Sequence, residues 1–258
     1  YENQPVDSLT KTSKKKFVTE LGRETEGFQF YIDLKASEST SRYYRWILDE
    51  TWEHHARYFL DLYFDPIDTS FNWIGIRDSL FYCYDHNTTI ELYLSTTSYM
   101  LQNLKKKIPL HYIGIPSIKL SVKYSCMVHQ YSLAEDAYNY WNQKRVDLME
   151  SGGMYTKQPS HVISNIRNIN DPDEMVLGYF WASEKTEKRF FFKGHASYYI
   201  DECELKEIDL RSISRPMYVI LDGELNDPQK TIYTASPNCF DCRKNGGTTT
   251  MPEYWDTF

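Results

Sequence analysis

The feature that most constrains this chain is a strict period of two. Between Lys119 and Gln130, Leu120, Val122, Tyr124, Cys126 and Val128 fall on one face, and Lys119, Ser121, Lys123 and Ser125 on the other. Only an extended backbone sends alternate residues to opposite sides, so this segment predicts a half-buried strand. Phe28–Leu34 alternates in the same way, as does Tyr43–Trp52, with Tyr44, Trp46 and Leu48 against Arg45 and Ile47. Leu80–Tyr84 and Thr88–Ser95 read as strands joined by a turn at Asp85-His86-Asn87, with Ile90, Leu92 and Leu94 inward. Val176–Ser183 and Arg189–Lys193 read as a hairpin, and Tyr198–Glu204 and Met217–Leu221 as further short strands. Tyr58–Gly75 predicts an aromatic loop holding short strands, while Pro109 and Pro116 make the segment around His111 an edge or a connection.

One segment changes period. Ala134, Ala137, Tyr138, Trp141, Arg145 and Leu148 recur at helical spacing, behind a Ser132 that stands three residues ahead of Glu135 as in a capping box. Gly152-Gly153 supplies the left-handed backbone that ends helices at low cost. The expected fold is therefore mainly β, with sandwich-like antiparallel sheets and one inserted amphipathic helix at about 133–150.

Charge and length exclude some functions. A net charge of −7 argues against binding a phosphate backbone, and the runs Lys14-Lys15-Lys16 and Lys105-Lys106-Lys107 read as solvated turns or strand ends. No apolar run approaches the roughly 20 residues that span a bilayer. The 22 tyrosines suit strands and recognition surfaces alike. The opening Pro5-Val6-Asp7-Ser8-Leu9 reads as an interdomain connection, which places a further domain upstream.

The search for chemistry assigns no catalytic, cofactor or metal residue, and the chain reads as non-enzymatic. His54 and His55 beside Glu53 invite a metal, but neighbours on a strand face opposite ways. Asp171, Asp173 and Glu174 surround Pro172 as turn residues do. Asn87-Thr88-Thr89 is an N-glycosylation sequon, and Asp7-Ser8-Leu9 and Asp78-Ser79-Leu80 resemble acceptor sites for O-glycans. Of the five cysteines, Cys126 falls on the inward face of its strand as a buried thiol. Cys239 and Cys242 are open to zinc, redox and disulfide readings. Zinc wants a second pair, and a redox motif wants a strand before it and a helix after it. The preferred reading is a disulfide from Cys203 to Cys239 or Cys242, the pairing left open, in an oxidising compartment.

A wider constellation carries a resemblance. It comprises Val122–Tyr124, Tyr131–Trp141, Ser151-Gly152-Gly153, Gln158-Pro159, Asn165-Ile166 and Val176–Phe180, then Cys239–Arg243, Gly246-Gly247-Thr248 and Pro252–Trp255. This pattern resembles a family of Bacteroidota envelope lipoproteins known only as a domain of unknown function, whose members are commonly encoded beside SusC-type TonB-dependent receptors. The resemblance implies that this is the C-terminal β-rich domain of a longer chain, preceded by a lipoprotein signal and an immunoglobulin-like domain. It further implies an outer-membrane, lipid-anchored, cell-surface protein that partners a SusC-type transporter, with a ligand it does not specify. Trp141, Gly152, Gly153, Pro159, Gly178 and Trp255 are then structural motif residues. Two other roles stay open: a structural subunit of an outer-membrane assembly or secretion complex, and a glycan- or peptide-processing hydrolase whose aromatic residues line a groove.

Overall fold

The computed structural model describes residues 8–18, 23–59, 62–73, 80–150, 164–174, 176–223, 227 and 230–255. The fold is mainly β, with several antiparallel sheets and one α-helix among the described residues. The chain divides into two compact units, one formed by Tyr1–Asp49, Thr88–Gly114 and Cys126–Phe190, the other by Glu50–Asn87, Ile115–Ser125 and Phe191–Phe258.

A three-stranded sheet in the first unit has the order β1-β2-β8, with β1 at Ser8–Val18, β2 at Arg23–Lys35 and β8 at Leu104–Gly114. Pro109 is tolerated because β8 is an edge, where no second ladder needs its missing N–H. Neither lysine run is a turn: Lys14–Lys16 lies within β1, and Lys105–Lys107 stands at the start of β8, a strand end as expected.

A second sheet runs β10-β9-β3-β6, with β7 also paired to β3; here β3 is Tyr43–His55, β6 Tyr82–Thr88, β7 Tyr93–Thr96, β9 Lys123–Leu133 and β10 Lys185–Lys193. Alternation holds on β3 and β9: Tyr44, Trp46, Leu48, Tyr124, Cys126 and Val128 are all buried. Within the first unit, Trp46 Nε1 donates to Gln130 Oε1 at 2.9 Å, so a polar pair sits in that core with both groups satisfied.

The second unit holds a sheet of order β11-β13-β12-β4-β5, built from Lys206–Glu207, Thr231–Thr234, Met217–Asp222, Leu62–Asp65 and Ser70–Trp73 respectively. Leu62, Phe64, Val219 and Ile232 form its apolar centre.

The single helix, α1, spans Glu135–Glu150. Ser132 does not cap it. That residue is still in β9, its backbone N–H donating to Glu184 O at 3.2 Å, and the helix begins three residues later. Glu135 and Asp136 instead set negative charge against the helix N-terminus. The buried face is Ala137 and Tyr140 with Tyr138 and Trp141 half-buried, whereas Leu148 is 65% exposed.

Other local expectations fail for identifiable reasons. Asp85-His86-Asn87 is not a turn, because β6 runs straight through it and pairing with β3 overrides its turn propensity. Ile90 consequently falls outside any strand and is exposed. Lys119 lies in a 3-10 turn at Ile118–Leu120, so β9 starts later than the alternation suggests. Residues 176–183 are not a strand, and β10 is one continuous strand rather than half a hairpin. Gly178 at φ +122° leaves the extended region. Asn165 then bonds both backbone groups of Phe180, at 2.8 and 2.6 Å, where a ladder partner would stand. Tyr198–Glu204 begins in a 3-10 turn at Ala196–Tyr198 and forms no strand.

Candidate functional site

The outward face of the second sheet, within the first unit, carries a chain of polar contacts across four strands. Thr88 Oγ1 donates to Asp49 Oδ1 at 2.6 Å, and Asp49 Oδ2 lies 2.7 Å from His129 Nε2. His129 Nδ1 lies 2.7 Å from Glu187 Oε2, which pairs in turn with Lys185 at 2.8 Å. Burial pushes the Asp49 carboxyl up, but its bonds from Thr88 and His129 prevail and hold it below its ordinary value. Both imidazole nitrogens face carboxylates, so neither is left to take a proton from a nucleophile. The Thr88 hydroxyl bonds the aspartate rather than the histidine, the wrong order for a triad.

At the start of β3, two loops are locked together by one side chain. Asn103 Nδ2 donates to Ser37 O, Thr40 Oγ1 and Ser41 O at 3.0–3.1 Å, while its Oδ1 accepts from Tyr44 OH and Thr97 Oγ1. Its backbone N–H reaches Glu38 Oε1 at 2.9 Å, and Arg42 Nη1 closes the knot on Thr97 O and Met100 O. Asparagine offers two donors and an acceptor with two lone pairs, and this one, 1% exposed, uses every one.

These loops form one wall of a half-open groove of about 580 Å³ in the first unit. Ser39, Thr40, Ser41, Ser98, Ser132 and Ser183 line it with Tyr43, Glu135 and Glu184, beside Leu133, Ala134 and Ala182, and its exposed lining is more apolar than polar. Desolvation and then the Glu135 carboxylate push the Tyr43 phenol above its ordinary value. The Arg42 guanidinium, which also borders the groove, is committed to Glu38 and to two carbonyls. Under α1, the Arg45 guanidinium stacks 3.8 Å from the Trp141 ring and 5.6 Å from Trp181, and Tyr140 stacks on Tyr179 at 4.6 Å. Such a packed aromatic and cationic bed makes the adjacent groove wall stiff.

In the second unit, Glu50 accepts from Lys119 at 2.6 Å, Tyr124 OH at 2.8 Å and Asn87 Nδ2 at 3.0 Å. The sequon asparagine thus has its side-chain amide engaged by a carboxylate. His54 and His55 do face opposite ways. His54 is buried with Nε2 3.2 Å from Cys242 O, and His55 pairs with Glu53 at 2.7 Å.

Two disulfides staple this unit, Cys203–Cys239 and Cys83–Cys242, and Cys126 is buried outside both. Sequence reasoning did not find Cys83 as the partner of Cys242. Its signal was the inward position on a strand, the same signal that made Cys126 read as buried. Trp255 is 2% exposed, its ring against Tyr84 and Phe191 and its Nε1 donating to Glu53 at 2.8 Å. Gly152, Gly153 and Pro159 lie outside the described residues, as do Asp7, Asp78 and Ser79 of the glycan-like motifs. Asp171, Asp173 and Glu174 make a turn, with Asp171 taking the backbone N–H groups of both others. The described residues include no group of three or more His, Cys, Asp or Glu placed to hold a metal ion.

The chain belongs to the family described as a domain of unknown function (DUF4249), whose model matches residues 2–189. No curated protein and no solved structure matches the chain.

Proposed function

We propose that this protein is a non-enzymatic cell-envelope lipoprotein that captures a ligand for, or docks on, a SusC-type TonB-dependent transporter of the outer membrane. The observation that carries this reading is the groove walled by the Asn103 knot. Its wall is held by a hydrogen-bond knot, its lining sets Ser and Thr residues and two glutamates beside apolar residues, and the histidine on the neighbouring face lies between two carboxylates. Preorganised pockets bind, because little ordering entropy remains to be lost, whereas turnover needs an activated nucleophile or base. Two disulfides in one unit favour an oxidising compartment outside the cytoplasm.

The test is affinity purification of the full-length protein from detergent-solubilised native membranes, with mass spectrometry of what accompanies it. The expected result is a TonB-dependent receptor in near-equal amount. Recovery without any membrane partner overturns the accessory role, and recovery with assembly-machine subunits replaces it with the structural role.

A further inference from the structure

One end of the three-stranded sheet combines three features that nothing above uses. The Asn103 knot fixes the loop Thr97–Asn103, yet that loop holds Leu101 fully exposed and Tyr99 70% exposed. A loop so heavily bonded does not fold these side chains inward, so the apolar tip is built to stay in contact with whatever lies outside.

The second feature is basic. Lys35 stands opposite Leu104 in the β2–β8 register, and Lys105, Lys106 and Lys107 follow directly on β8. Four lysines at one end of a sheet are conspicuous in a chain of net charge −7. Lys105 Nζ lies 3.2 Å from Tyr99 OH and 5.7 Å from the Tyr99 ring, which ties the basic group to the apolar tip.

The third is a bulge. Ile32 pairs with Ile108 and Leu34 with Lys105, so Lys106 and Lys107 together oppose Asp33. Lys107 takes φ +53°, an unusual value for a lysine, and its backbone N–H is held by Asp33 Oδ1 at 2.7 Å. The bulge leaves Lys106 and Lys107 both exposed, where a regular strand would send them to opposite faces. Backbone in a sparsely populated region persists only where its surroundings enforce it.

We infer that this end of the first unit docks on an anionic lipid surface, with Leu101 and Tyr99 entering the interface and the exposed Lys35, Lys106 and Lys107 facing the headgroup phosphates. Tyrosine suits that depth because its ring is apolar and its hydroxyl stays wet. Lysines beside it add affinity that salt screens. A protein partner is the competing occupant, but a fully exposed leucine beside lysine point charges, without an aromatic or arginine anchor pocket, matches a lipid headgroup layer better.

The experiment is co-sedimentation of the full chain with vesicles of phosphatidylcholine alone and of phosphatidylcholine with phosphatidylglycerol. Binding is expected at least about fivefold tighter on the anionic vesicles, falling toward the neutral value at high salt. Lys106→Gln with Lys107→Gln should weaken it about tenfold, and Leu101→Asn about fivefold. All three side chains are exposed, so unchanged unfolding midpoints will show that the variants fold. Equal binding to both vesicle types, no binding to either, or variants that bind like the parent chain would each overturn the inference. None of these outcomes bears on whether a transporter is recovered from membranes, so the two readings fail separately.

Discussion

Lys119 Nζ lies 2.6 Å from Glu50 Oε2, and the Glu50 side chain has no exposed surface at all. A carboxylate taken wholly out of water is tolerable only when its oxygens are occupied, and Tyr124 OH and Asn87 Nδ2 add further donors. Lys119 also runs over the Trp52 ring at 4.8 Å, which orders its ammonium.

Removing one partner of such a pair strands the other. Lys119→Met should therefore destabilise the protein by about 3 kcal/mol. Glu50→Gln, which keeps a hydrogen-bonding side chain of the same shape, should cost less. Urea unfolding of both variants checks this, and a loss under about 1 kcal/mol for Lys119→Met would mean that the pair contributes only as an exposed bridge does.

Asn103 is the second test of a satisfied buried group. Asn103→Ala strands Thr97 Oγ1 without its acceptor and removes one of the donors to Ser37 O and Ser41 O, which keep Thr40 and Tyr44 respectively, at an expected cost of about 2 kcal/mol. Asn103→Asp should fare no better, since a carboxylate cannot donate to those carbonyls. Hydrogen exchange should quicken in residues 36–42 and 97–103 ahead of the sheet strands. Uniform exchange across the unit would show that the knot does not define a local cooperative element.

These two networks mark where the sequence was and was not legible. Alternation on β3 and β9 revealed the core faces, because burial of every second residue writes itself into residue type at fixed spacing. The helix was visible for the same reason. Asn103 was not, since a lone asparagine in a polar stretch reads as an ordinary loop residue, and its partners lie 59 to 66 positions away apart from Thr97. Cys83 was likewise one cysteine among five, and pairing over 159 residues leaves no local trace. Residues 176–183 misled because Val176, Leu177, Tyr179 and Phe180 favour strands while the side chain of Asn165, distant in sequence, takes the backbone bonds. The groove combines residues from four separated segments, so no local pattern marks it.

The disulfides should differ in worth. Cys83–Cys242 closes a separation of 159 residues and Cys203–Cys239 one of 36, and the second loop lies inside the first. Loop-closure entropy alone gives about 5 kcal/mol for the longer bridge and about 4 kcal/mol for the shorter. Paired Cys→Ser variants, compared by guanidinium unfolding, should rank in that order. The reverse order would place the decisive effect in residual structure of the unfolded chain rather than in its entropy.

Acid should find His54 first. Burial lowers the His54 imidazole below its ordinary value near 6.5, against the opposing pull of Cys242 O and Asp85, with His55 adding a smaller push in the same direction as burial. The folded protein therefore holds the ring neutral while the unfolded chain protonates it, so the unfolded state binds more protons on the acid side. Stability should be level above about pH 6.5 and decline as pH falls below that value. The loss continues until the folded imidazole itself takes a proton. The depressed carboxyls of Asp49, Glu53 and Asp241 contribute stability that is lost further down, as pH falls through the ordinary carboxylate range toward their lower folded values. His54→Gln should flatten the slope between pH 7 and pH 5 while leaving the steeper fall below pH 4 in place. A slope unchanged in the variant would assign the mid-range pH dependence to groups other than His54.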